Sequence, residues 1–178
     1  MLPIGPLMIE HRLIERMITL LRKDAERMDR EQRIDAGFLD RAVEFMLNYA
    51  DCLHHAKEEQ FLFKELDKKD LPEDLRRIMS ELIEEHRQAR AAMLGIADAK
   101  ARVLAGQQDF FAQVLSHART LVIMYPRHVE KEDRHFFLPC MQFLTSEEKD
   151  AMLEREYGFD REVLHEIYRE KVEREEKK

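Results

Sequence analysis

The sequence predicts an all-α protein: an up-down-up-down four-helix bundle with a C-terminal helical extension. Three observations lead there. Gly and Pro are scarce, five of each in 178 residues, whereas a chain of short strands needs turn residues every eight to twelve positions or so. Hydrophobic residues make up 44% and charged residues 38%, a mixture that suits helices with one apolar stripe and a solvated outer face. Apolar positions also recur with a 3.6-residue period over four long stretches, separated by short polar connections.

The first helix is expected from about Leu7 to Asp29, with Leu7, Ile14, Met17, Ile18 and Leu21 on one stripe. The second runs from about Phe38 to Leu66 through Leu39, Val43, Met46, Leu47 and Ala50. The third starts near Pro72, a residue favoured in a first turn, and reaches about Leu104. The fourth runs from about Asp109 to Phe143, and Pro126 inside it should kink it or open its ladder. The short connections force consecutive helices to lie antiparallel. Thr145-Ser-Glu-Glu148 reads as an N-cap that opens a short helix to about Tyr157, before a break at Gly158. The charged segment from Asp160 to Lys178 is expected to be an appended helix that frays into solvent. The bundle domain is thus expected over 7–144 and the extension over 145–178.

Bulk charge narrows the function. A net charge of −7 disfavours nucleic acid and anionic membrane surfaces, which need clustered Lys and Arg. No apolar run approaches the roughly 20 residues of a membrane span. Residues 1–8 are apolar but lack a basic stretch and a small-residue cleavage site, so they do not read as a signal peptide. Cys52 and Cys140 stand alone, which fits a reducing cytoplasm and two small buried hydrophobes.

The eight His carry the chemistry. His11, His54, His86 and His128 fall on four different expected helices. His54 and His128 are each followed four residues later by a Glu, Glu58 and Glu132, about 40° around a helix and one turn along. In an antiparallel hairpin, residues at one height are equidistant from the turn. The midpoint of His11 and His54 falls between Gln32 and Arg33, that of His54 and His86 at Asp70, and that of His86 and His128 at Gln107. All three lie in the polar connections, so the four His share one level. Buried carboxylates are costly unless paired or coordinated. Four imidazoles and two carboxylates suit iron, manganese or zinc, and two carboxylates flanked by His are what a dinuclear centre needs.

The residues Glu10-His11, His54-His-Ala-Lys-Glu-Glu-Gln-Phe-Leu-Phe63, Glu85-His86-Arg87 and His128-Val-Glu-Lys-Glu-Asp133 resemble the hemerythrin-like, or His-His-Glu cation-binding, family over about 7–143. The resemblance implies a non-heme di-iron centre of the Fe-O-Fe type, with His11, His54, Glu58, His86, His128 and Glu132 as ligands and the two Glu bridging. It implies binding of a small diatomic ligand, O2 or NO, or of peroxide, for sensing, storage or detoxification. Oxygen carriers of the family add a second His on the third helix, where this chain has Arg90. The alternatives are iron–sulfur repair or iron donation, di-iron redox catalysis, and a metal-stabilised helical interaction module that docks a partner, or a second copy, through 145–178.

Among the remaining residues, Glu15 is a candidate to coordinate or to orient His11, or else to pair with a neighbouring cation. His117 and His135 read as partly exposed interior His, Tyr125 as a packed aromatic, His55 as outer or surface, and His165 as solvated. Glu132-x-x-His135 and Glu162-x-x-His165 match the spacing of the ferritin-like di-iron scheme. They lie too close in sequence to occupy two separated bundle helices.

Overall fold

The computed structural model describes residues 2–158 and 161–177. Met1, Phe159, Asp160 and Lys178 lie outside the described residues, as do the side chains of Tyr157, Arg161, Glu162, Val163 and Glu166. Helices joined by short turns make up the chain, and no strand occurs among the described residues. None of the helices is long and apolar enough to cross a membrane.

Helix α1 spans Ile4–Glu31 and closes where Gln32 turns left-handed and its N–H reaches the Met28 carbonyl at 2.8 Å. Asp35 then caps α2 by accepting the Phe38 N–H at 2.9 Å. Helix α2 occupies 36–66 and is not a plain α-helix. It passes from Ala36–Phe45 through two π-helical stretches, Met46–His55 and Glu58–Phe63, before ending in Lys64–Leu66. Helix α3 spans Glu73–Leu104 with Pro72 just in front. Gly106, at φ 91, supplies the left-handed turn after it. Helix α4 runs over 111–143: Phe111–Lys131, a π-helical turn Glu132–Phe136, then Phe137–Cys140 and a 3₁₀ end. The helix continues through Pro126, which sits on the exposed face. The ladder opens six residues later instead, at Glu132.

The Thr145 cap forms in both directions. The Thr145 hydroxyl accepts the Glu148 N–H at 3.2 Å, and the Glu148 carboxylate accepts the Thr145 N–H at 2.8 Å. Helix α5, Ser146–Gly158, follows, and α6 spans Arg161–Glu176. The appended helix is present and many of its described residues are exposed, but it is docked on the bundle rather than frayed. Val172 and Tyr168 are buried in the core beside Phe45 and Tyr49. Ion pairs flank that seam: Arg16 with Glu176, Arg41 with Glu175, and Lys171 with Glu44. His165, expected in solvent, is bonded to the Tyr49 hydroxyl. A buried apolar pair under a row of ion pairs holds a helix whose sequence is charged on average.

Two apolar clusters form the core, and the polar level lies between them. One holds Leu13, Leu53, Ala89 and Tyr125; the other holds Leu7, Leu62, Leu82 and Phe136. Each of the four His lies between a residue of one cluster and a residue of the other. Along α1 and α3 the second cluster comes first; along α2 and α4 it comes last.

The two thiols differ. Cys140 is buried and burial pushes its thiol up to about 12, whereas Cys52 is exposed, contrary to its expected place in the core. An alkylating reagent should therefore modify one thiol per native chain, at Cys52, and both after denaturation. Peptide mass mapping that finds native Cys140 alkylated as fast as Cys52 would contradict this packing.

Candidate metal centre

His11, His54, His86, His128, Glu58 and Glu132 meet in the bundle interior, each exposed by 2% or less. The π-helical turns coincide with the two Glu: one begins at Glu58 and another at Glu132. Extra-wide turns of this kind are enriched at functional sites.

All four His point Nε2 inward. Glu58 reaches two of them, with Oε1 3.3 Å from His54 and Oε2 3.4 Å from His86. Glu132 Oε2 lies 3.1 Å from His11 and 3.2 Å from His128, and its Oε1 is 3.8 Å from His86. None of these contacts is aligned as a hydrogen bond. The four Nε2 atoms and the four carboxylate oxygens are all buried without a hydrogen-bond partner. Buried polar atoms are ordinarily satisfied, so eight orphans in one small volume call for something that the side chains alone do not supply.

The outward nitrogens are all satisfied, and in a regular order. His54 Nδ1 on α2 meets Glu10 of α1 at 3.1 Å; His86 Nδ1 on α3 meets Glu59 of α2 at 2.8 Å. His128 Nδ1 on α4 meets Glu85 of α3 at 2.9 Å; His11 Nδ1 on α1 meets Asp133 of α4 at 2.8 Å. The ring of pairs closes on itself. Each of these carboxylates is also clamped by a cation from the same helix as its His: Lys57 on Glu10, Arg90 on Glu59, Lys131 on Glu85 and Arg12 on Asp133. In a neutral ring, a carboxylate on Nδ1 holds the proton there and turns the Nε2 lone pair inward; against burial, Asp133 and Glu132 raise His11 to about 9, and Glu132 and Glu59 raise His86.

The titration behaviour follows from this layout. Burial works to raise the Glu10 carboxyl, but His54 and Lys57 outweigh it and hold it down to about 2. The His86 contact, against burial and with Arg90, keeps Glu59 down to about 2. Burial lowers His54 to about 4 despite Glu10. Glu58 is raised by burial and by the charges of Glu132 and Glu10. Glu132 is lowered, because His128, His11 and His86 outweigh its burial. The two carboxylates thus compete for one negative charge in a space with no exposed surface.

A model of the hemerythrin HHE cation-binding domain matches residues 2–140. The chain belongs to that family. Neither a curated protein nor a solved structure matches it. As a hemerythrin HHE domain it binds metal cations, and the His and Glu cluster is where its donor atoms gather. One ligand atom from each of His11, His54, Glu58 and Glu132 lies within 4.8 Å of the others, and so does one from each of His55, His86 and His128. The donor set fits a metal: nitrogen and oxygen only, buried, orphaned and oriented.

Sequence reasoning missed His55, which is buried at 1% rather than outer or surface. It also missed the carboxylates behind the His. Glu15 pairs with Arg12 at 2.9 Å, the cation-partner reading, while Asp133 takes the orienting place beside His11. The available signal was adjacency, since Glu10, Glu59, Glu85 and Asp133 each neighbour a site residue in sequence. His117 is half-buried against Gly95, where a Cβ would come within 2.5 Å of its Nε2, and His135 is exposed. Tyr125 is buried beside His128 and His55, and its hydroxyl also lacks a partner.

Glu10 gives the sharpest stability test. Glu10→Ala would break the buried ion pair between Glu10 and the Lys57 ammonium, and breaking such a pair costs about 3–5 kcal/mol. Urea unfolding of the metal-free protein should show a loss of that size, and Glu10→Ala/Lys57→Met should recover most of it.

Proposed function

We propose that this chain is a non-heme di-iron protein that binds O2, NO or peroxide for sensing, storage or detoxification. The observation that carries the reading is the set of eight inward-facing nitrogen and carboxylate oxygen atoms without partners. His11 and His54 would hold one iron, and His86 and His128 the other. Glu58 and Glu132 would serve both, since each has oxygens beside His residues of the two pairs. Two irons held this way supply a redox-active centre with positions open to a small ligand. The alternating order of the apolar clusters along α1 to α4, and the closed ring of His–carboxylate pairs, support an up-down-up-down arrangement of the four long helices.

The chain's own residues do three things for such a centre. The Nδ1 carboxylates fix ring orientation and tautomer. The apolar clusters exclude water, and Phe137 stacks on His11 at 5.7 Å while Phe63 stacks on His86 at 6.1 Å. Tyr125 lines a shallow cavity of about 180 Å³ with Ile14, Glu15, Thr19, Pro126 and Val129. Its position next to His128 and His55 makes it the side chain between that cavity and the His and Glu cluster.

Metal analysis with an optical spectrum, with and without oxygen, tests the reading. About two irons per chain and a ligand-to-metal charge-transfer band are expected after growth in iron-replete medium. His54→Ala and Glu132→Ala should each lower the iron content. Iron-free protein would sink the reading, and redox-silent zinc with no gas binding would favour the interaction module. Tyr125→Phe should keep the iron content but change the dissociation rate of NO by threefold or more, roughly what one weak hydrogen bond is worth. An unchanged rate would remove Tyr125 from the ligand path.

A further inference from the structure

His55 makes the strongest claim on a role that the six-residue set does not include. It is 1% exposed, and its Nε2 is buried without a hydrogen-bond partner. Its other nitrogen is anchored as in the four site His: Nδ1 lies 3.2 Å from Asp51 Oδ1. Asp51 in turn accepts from Arg90 Nε at 2.6 Å. The outward chain of imidazole, carboxylate and cation that backs each of the four is therefore repeated a fifth time.

The surroundings leave the His55 ring little other purpose. It stacks on His86 at 3.8 Å between centroids and 12° between planes, and it meets His128 edge-on at 5.8 Å. A ligand atom of His55 lies within 4.8 Å of ligand atoms of both. A neutral ring with its proton fixed on Nδ1 presents a bare lone pair at Nε2. The Nε2 atoms of His55, His86 and His128 are all buried without a hydrogen-bond partner, and a cation satisfies such a group of nitrogens.

The backbone explains how two consecutive His can both face inward. His54 and His55 end the π-helical stretch Met46–His55, where each turn holds more residues than an α-helical turn. Successive side chains are then separated by less than the usual 100° or so, and both fall within the arc that faces the bundle interior. Arg90 secures the arrangement from α3. Its Nε holds Asp51, behind His55, and its other arm holds Glu59, behind His86, at 2.8 Å. One planar guanidinium thereby sets the orientation of two neighbouring rings.

We infer that His55 is a fifth imidazole ligand, completing with His86 and His128 a three-nitrogen face on one of the two cations. This rests on the metal-binding reading above. It makes the two positions unequal: two imidazoles on one, three on the other, with Glu58 and Glu132 between.

The test uses the full-length wild-type protein, labelled with ¹⁵N-histidine and loaded with ¹¹³Cd. Five imidazole nitrogens should show splitting by cadmium, and His55→Gln should remove one of the five. In metal titrations, His55→Gln should weaken one of two binding steps by about tenfold or more and leave the other unchanged. Four split resonances in the wild type, with two cadmium ions bound, would overturn the His55 assignment while leaving the di-metal reading in place. Wild-type protein that takes up no metal would overturn both. Should His55→Gln fail to fold, the wild-type splitting count still decides.

Discussion

Glu58 and Glu132 lie side by side in the middle of the bundle with no surface exposed to water, and the rest of the interior is organised around that fact. Each Nδ1 of the four surrounding His is engaged by a carboxylate, so the Nε2 atoms face inward. Where the imidazoles are neutral, every inward atom is then an acceptor: four imidazole nitrogens and four carboxylate oxygens. Acceptors cannot satisfy one another, and in a low-dielectric interior their mutual repulsion is felt in full. Protons relieve it in part, which is why burial drives Glu58 toward its neutral form. A multivalent cation relieves it entirely. The site is therefore costly as a set of side chains alone and suited to a cation.

That interior could not persist without the second ring of charge outside it. Each His takes its carboxylate from the preceding helix and the clamping cation from its own. The contacts run α1 to α2, α2 to α3, α3 to α4, and α4 back to α1. No single helix can rotate without breaking two of them, so the level that binds metal also fixes the relative rotation of the helices. The cost of burying Lys57 is tolerable because Glu10 answers it, and Glu10 is tolerable because His54 and Lys57 share it. A buried ion pair of this kind adds little net stability. What it contributes here is register, the use for which such pairs are best attested.

The helical class, the four long runs and the level of the four His could be read from the sequence because each depends on spacing alone. Midpoints between His11, His54, His86 and His128 need only a constant rise per residue. What depends on partners from another helix could not be read that way. Glu15 was a candidate to orient His11 because it lies one turn away on the same helix, whereas Asp133 reaches His11 across 122 positions of chain. His55 was set aside on the assumption of a uniform α-helical turn, which fails where α2 widens into a π-helix. The charged average composition of the last helix predicts an extension that frays into solvent. Two residues, Tyr168 and Val172, decide its packing, and averages do not reveal them. Pro126 was expected to disturb α4, yet the disturbance falls at Glu132, where the helix carries a site residue.

The asymmetry between the two faces of the site bears on access. On the side of Leu62, Phe63, Phe136 and Phe137, aromatic rings stack directly on His11 and His86, and the second apolar cluster continues behind them to Cys140. Opening that side means separating packed aromatic rings, and each such pair contributes about 0.5–1.5 kcal/mol beyond its buried area. On the other side the residue next to His128 is Tyr125, a single ring with an unpartnered hydroxyl and a surface cavity along its flank. Tyr125 belongs to the first apolar cluster but stands at its edge beside that cavity, and its hydroxyl offers a polar ligand a hydrogen-bond donor. On the function proposed above, a small ligand would pass between α1 and α4, and the same side chain that admits it would hold it.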